Sequence, residues 1–233
     1  MLLLSIIELK IQYPRLKAKY KLMLLTVVDY GVGNLRSIAK SIEKANSDNN
    51  LNYTVIVSSD VNDIKKSDKL VLPGQGSFKA CKHGINSIKG LKEELDESVL
   101  VKKKPIYGIC AGMQLFATKG HEEEETRGLN WIPGEVIKLD LGSSKLKIPH
   151  MGWNELKIEN NSSVFKDITN KNHAYFIHSY EFIPEDKKSV SITTNYGKDV
   201  IAAVSLENIF GSQFHPEKSQ KTGIKILTNF LNL

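Results

Sequence analysis

An α/β fold with a central, mostly parallel sheet, flanking helices and added antiparallel strands is predicted by three features of the chain. Short apolar runs alternate with helical stretches through the first half. Glycine-rich turns stand at the ends of two of those runs, and the second half changes to closely spaced strand-like segments. Alternating strand and helix is the pattern of parallel strands joined by crossover helices, in which a site forms outside the carboxyl ends of the strands.

The elements follow in order. Strands are read at 24–29, 54–59, 69–72 and 105–109, separated by helices near 34–46, 78–88 and 90–101. Gly31-Val32-Gly33 has the start of a dinucleotide loop, but Arg36 stands where the third glycine belongs. Residues 112–118 suit the first turns of a helix, and 120–127 (Gly-His-Glu-Glu-Glu-Glu-Thr-Arg) an acidic surface loop. One histidine beside solvated glutamates makes a weak metal site, so no metal or other cofactor is expected. Strand-rich sequence occupies 135–139, 151–158, 174–182, 189–195 and 200–214. An amphipathic helix, 222–230, would turn Ile224, Ile226, Leu227 and Phe230 inward.

The chemistry-bearing residues sit at the turns. Gly108-Ile109-Cys110-Ala111-Gly112 follows the apolar run 104–109, and Gly-x-Cys-x-Gly is the thiol form of a nucleophile elbow. Such a turn lifts the sulfur to a helix N-terminus, where the macrodipole favours thiolate. Cys81 has no such frame and reads as structural or incidental. Downstream stands Gln213-Phe214-His215-Pro216-Glu217-Lys218. Pro216 biases His215 away from helical geometry, and side chains two apart in an extended segment face the same way. His215 and Glu217 then read as a base and the carboxylate that orients it, with Cys110 as nucleophile. Lys69-Leu70-Val71-Leu72 runs into Pro73-Gly74-Gln75-Gly76-Ser77. No Gly-Lys-Ser/Thr follows, so an oxyanion hole from the Gly74–Gln75 region and the N–H of Ala111 fits better than a phosphate cradle.

These residues resemble triad-type (class I) glutamine amidotransferases. Within that class the chain is similar to the glutaminase subunit of imidazole glycerol phosphate synthase, through four further segments: Asp29-Tyr30-Gly31-Val32-Gly33-Asn34, Pro149-His150-Met151-Gly152-Trp153-Asn154, Tyr175-Phe176-Ile177-His178-Ser179-Tyr180 and the run from Gln213 to Ser219. The resemblance runs from Met23 to the C-terminus. It implies hydrolysis of glutamine to glutamate and ammonia through a thioester on Cys110, with Gln114, Ser179 and Tyr180 holding the substrate. It implies as partner a (β/α)8 cyclase that uses the ammonia in histidine biosynthesis, making imidazole glycerol phosphate and aminoimidazole carboxamide ribotide. Asn34, Trp153, Asn154 and Lys218 match positions at that interface. Gln75 replaces the family's usual small or branched apolar residue, and Ala111 its leucine or valine. A paralogue feeding ammonia to another synthetase, such as a sugar-modifying one, and a non-catalytic regulator that kept the fold are the alternatives.

Composition narrows the setting. A chain of 233 residues, 41% hydrophobic, supports one domain with a sizeable core. Two cysteines offer no disulfide framework, and no apolar run approaches the ~18 residues of a membrane span. A reduced, cytoplasmic protein is expected. The net charge of +6 includes +4 from residues 1–22, and the remainder gives no reason to invoke nucleic acid. The apolar run 1–7 precedes its basic residues, against a secretory signal. Residues 1–22 read as a weakly ordered extension or the product of an upstream start, and 23–233 as the amidotransferase domain.

Overall fold

The computed structural model describes residues 22–233, so the expectation for the N-terminal extension falls, but for Leu22, outside the described residues. An eight-stranded sheet forms the centre of the fold. Its strands, in chain order, are β1 (Met23–Val28), β2 (Tyr53–Ser58), β3 (Lys69–Leu72), β4 (Ile106–Ile109), β9 (Lys157–Ile158), β12 (Val190–Asn195), β13 (Asp199–Leu206) and β14 (Ile209–Ser212). Across the sheet they lie in the order β2-β1-β3-β4-β14-β13-β12-β9. The first five are parallel and the last three antiparallel. The mostly parallel sheet with added antiparallel strands is therefore present.

Residue parity assigns the two layers. Leu25, Val27, Val71, Tyr107 and Ile109 face one side, against Ile38 and Ile42 of α1 (Leu35–Asp48) and Ile226, Leu227 and Phe230 of α6 (Gln220–Leu231). Val28, Leu70, Leu72 and Ile106 face the other, against Ile64 of α2 (Val61–Lys66), Phe78 of α3 (Phe78–Ser87) and Leu91 and Leu95 of α4 (Leu91–Asp96). Strands covered on both faces lack polar alternation, which is why β3 and β4 read as short apolar runs. Lys69 is buried in β3, and its ammonium donates to the carbonyls of Phe230 and Leu231 at 2.7 and 2.8 Å, satisfying the last turn of α6.

Several boundaries depart from the sequence reading. Helix α2, not anticipated, is capped by Asp60, whose side chain accepts from Asn62 N at 2.7 Å. The elbow helix α5 spans only Ala111–Gln114. The carbonyls of Leu115, Phe116 and Ala117 instead accept from Leu129, Trp131 and Asn130, so tertiary pairing replaces further helical turns. Part of the acidic loop forms a hairpin, β5 (Lys119–Gly120) with β6 (Thr126–Arg127), beside β7 (Gly134–Lys138). The runs 151–158, 174–182 and 200–214 each break in two, the last into the antiparallel pair β13 and β14. β8 (His150–Glu155) pairs with β10 (His173–His178) as a separate ribbon, while β9 joins the main sheet and β11 (Tyr180–Pro184) pairs with β7.

Candidate active site

Cys110 stands where β4 gives way to α5, with φ +56° and ψ −117°. A non-glycine residue in that region is strained, and such strain persists where the surroundings impose it. They do so here through the two flanking glycines. A Cβ on Gly112 would lie 2.0 Å from the Leu72 carbonyl oxygen, and one on Gly108 2.7 Å from Met113 Cα. Cys110 N donates to Ser212 O of β14 at 2.7 Å, tying the elbow to the strand that leads to His215.

His215 and Glu217 meet Cys110 at a cavity of about 360 Å³. Glu217 lies in a 3-10 turn, Pro216–Lys218, rather than in the expected extended segment, and β14 ends at Ser212. The turn still brings Glu217 Oε1 to 2.7 Å from His215 Nδ1. Ser219 holds this turn: its hydroxyl donates to His215 O at 2.7 Å and accepts from Tyr175 N at 3.0 Å. Burial would lower the basicity of His215. Hydrogen bonds with Cys110 and Glu217, and the charges of both, outweigh it and raise the imidazole to about 9. The imidazolium form of His215 is the state these contacts favour.

The glycine-rich loop packs directly on the elbow. Gly74, Gln75 and Ala111 line the cavity with Cys110, and a Cβ on Gly74 would lie 2.0 Å from Gly112 N. From beneath, the Tyr30 hydroxyl donates to Pro73 O and the Cys81 thiol lies 3.7 Å from Gln75 O. Cys81 is thus a structural residue under the loop. Gln75 itself is exposed at the rim of the cavity.

Gln114, Ser179 and Tyr180 also line the cavity. The amide nitrogen of Gln114 donates to Tyr180 O at 3.0 Å and to Gln213 Oε1 at 2.8 Å, which leaves its oxygen for a ligand. Two lining or adjoining residues were missed in the sequence. Glu122 lines the cavity from the acidic loop and accepts from Phe78 N at 2.7 Å. Gln213, fully buried, brings Nε2 to 3.5 Å from the Cys110 sulfur. Its signal was available: it stands two residues before His215.

The four residues matched to an interface divide. Lys218 is exposed and lies over the Tyr175 ring at 5.6 Å, and Trp153, 49% exposed, meets the same ring edge-on. Asn34 is exposed at the cavity and caps α1, accepting from Ser37 N at 3.4 Å. Asn154 stands apart from the other three. Strand alternation turns its side chain to the face opposite Trp153, where it donates to Asn195 O at 2.8 Å.

A strained thiol elbow, an imidazole steered by a buried carboxylate and a glycine-rich loop define an acyl-transfer site. The family model for class I glutamine amidotransferases matches residues 26–233, and the chain belongs to that family. It is 52% identical over 91% of its length to the imidazole glycerol phosphate synthase subunit HisH of Pelagibacter ubique, covering all of that protein. The HisH subunit of Cereibacter sphaeroides is 42% identical over 90% of this chain and 98% of its own. Among solved structures, a glutamine amidotransferase aligns with a TM-score of 0.64 at 15% identity, over 89% of this chain and 99% of its own. Another glutamine amidotransferase, from Thermotoga maritima, aligns at 0.61 and 15%, over 87% and 80%, and both likenesses concern the fold alone.

Proposed function

We propose that this protein is the glutaminase subunit of an imidazole glycerol phosphate synthase, with Cys110, His215 and Glu217 as its catalytic residues. The observation that carries the reading is the Glu217–His215 contact beside a strained Cys110 at one cavity. The Cys110 thiolate attacks the side-chain amide carbon of glutamine. Main-chain N–H groups of the Gly74–Gln75 loop and of Ala111 take the charge that develops on oxygen. The His215 imidazolium gives its proton to the departing nitrogen, which leaves as ammonia. The same ring then deprotonates a water that attacks the thioester, and glutamate departs as the thiolate re-forms.

Substrate recognition follows from charge. Glu122 offers a carboxylate to the α-ammonium of glutamine, supported by the free oxygen of Gln114, while Ser179 and Tyr180 close the wall. Ammonia lost to water at neutral pH would become ammonium and cease to be a nucleophile, so it passes to a docked (β/α)8 cyclase subunit that closes the imidazole ring in histidine biosynthesis. Trp153, Lys218 and Asn34 belong to that docking side. A free catalytic thiolate suits the reducing cytoplasm. Among the described residues no helix is long and apolar enough to cross a membrane. The test is a glutaminase assay with and without cyclase and its nucleotide substrate. Slow hydrolysis alone, accelerated by the pair and abolished by Cys110→Ala, is expected; a rate already high and insensitive to the cyclase overturns the coupling.

A further inference from the structure

Behind the site runs a line of buried polar groups, most of which have no step in that chemistry. Asn154 Nδ2 lies 3.3 Å from His150 Nε2. His150 Nδ1 is 3.0 Å from His178 Nε2, and His178 Nδ1 is 2.8 Å from the Tyr180 carbonyl. That carbonyl also accepts from Gln114, whose amide nitrogen donates to Gln213 Oε1, and Gln213 Nε2 ends the line 3.5 Å from the Cys110 sulfur.

One arrangement of protons satisfies the whole line while both rings are neutral. A carbonyl only accepts, so His178 carries its proton on Nδ1 and presents Nε2 as an acceptor. His150 must then donate from Nδ1, and its Nε2 accepts from Asn154. Both amide hydrogens of Gln114 are engaged, and the Gln213 oxygen is taken, so Gln213 presents a donor to the sulfur. The rings are 2% and 6% exposed, and His150 stacks on Phe176 and Tyr196 with centroids 4.6 and 4.0 Å away. Burial holds His150 down to about 4 and His178 to about 3, so both stay neutral near pH 7.

We infer that this line is a positioning relay: Gln213 donates a hydrogen bond to the Cys110 thiolate, and His150 and His178 hold that donor in place through Tyr180 and Gln114. Gln213 touches the reacting atom; the two histidines act through it. The far end is anchored on β8, whose opposite face exposes Met151 and Trp153 at 58% and 49%. A body docking there therefore bears on the strand that sets the donor at the sulfur. The inference rests on Cys110 being the nucleophile of the proposed function, and on neither its substrate nor its partner.

The experiment follows alkylation of Cys110 by iodoacetamide against pH on the full chain, with the modified peptide identified by mass. A hydrogen bond to an ionised group stabilises that form. Gln213→Met, close in volume but without a donor, should raise the midpoint by about one pH unit. Gln213→Glu, which sets a second anion beside the sulfur, should raise it further. His150→Phe keeps the ring stack and should raise it less, and the double variant should match Gln213→Met alone. A wild-type midpoint in Gln213→Met or in His150→Phe, or additive shifts in the double variant, overturns the relay. Nitrogen-15 shifts of the wild-type rings, which need no variant to fold, should show both neutral with the proton on Nδ1 at pH 7; an Nε2–H form on either ring also overturns it. Alkylation needs neither glutamine nor cyclase. An intact relay without glutaminase activity would remove the proposed function alone, and normal hydrolysis with unshifted midpoints would remove the relay alone.

Discussion

Replacing Glu217 by Gln isolates the electrostatic part of the triad. The substitution keeps an oxygen that can accept from His215 Nδ1 across the present 2.7 Å, and removes the charge. The Glu217 side chain is 2% exposed, so little solvent screens it. His215 stands at about 9, against burial that pulls the other way. Measured from an ordinary value near 6.5, that is a net stabilisation of the imidazolium of about 3 kcal/mol. Cys110 and Glu217 share it, so losing the carboxylate charge should lower the imidazole by about 1–2 units, or about 1.5–3 kcal/mol. Oε2 of Glu217 is buried without a hydrogen-bond partner among the described residues, and an amide nitrogen there would be a buried donor with none. In the proposed mechanism the imidazolium is also the proton donor to the leaving nitrogen, and kcat for glutamine hydrolysis should fall roughly 100-fold or more. NMR titration of His215 and steady-state kinetics of the assembled enzyme check both numbers. A raised folded-state value adds stability that is complete below about 6.5 and lost as pH climbs through about 9. The fall in unfolding midpoint between those limits should accordingly be smaller in the variant. An unshifted His215 together with unchanged kcat would refute the electrostatic account and leave Glu217 as packing.

Three further outcomes follow. Gly74→Ala drives a methyl to 2.0 Å from Gly112 N and 2.5 Å from Ala111 C, backbone that cannot yield; urea unfolding should show a loss of about 2 kcal/mol or more, with hydrolysis at background. Glu122→Gln removes the carboxylate assigned to the substrate ammonium, and KM for glutamine should rise about tenfold with kcat nearly constant. Trp153→Ala truncates an exposed aromatic on the proposed docking side, and calorimetric titration with the cyclase should show affinity weakened by about 2 kcal/mol, near 30-fold.

The sequence was most legible where chemistry demands glycine. Gly108, Gly112 and Gly74 mark places where backbones approach too closely for a Cβ, and the elbow and loop were found from them. The Glu217–His215 contact was anticipated for the wrong local reason, since a 3-10 turn held by Ser219 makes it. Glu122 was hidden among neighbouring glutamates, because one carboxylate in an acidic run looks like the rest until the fold turns it into the cavity. Asn154 shows a different limit: strand parity sets its side chain on the face opposite Trp153, against Asn195 O, a pairing that its own stretch of sequence does not announce.

By itself the chain's order of residues determined the parallel half of the sheet and marked the turns that carry Cys110 and His215, because buried strands and strained turns restrict residue type locally. Tertiary structure alone decided which polar side chains share a site. Gln213, Gln114, His178 and His150 come from four separate stretches, and the contacts that join them, His150 to His178 and Gln114 to Gln213, exist only in the folded chain. A hydrogen-bond direction is a property of a pair, and for these pairs no single stretch of sequence contains both members.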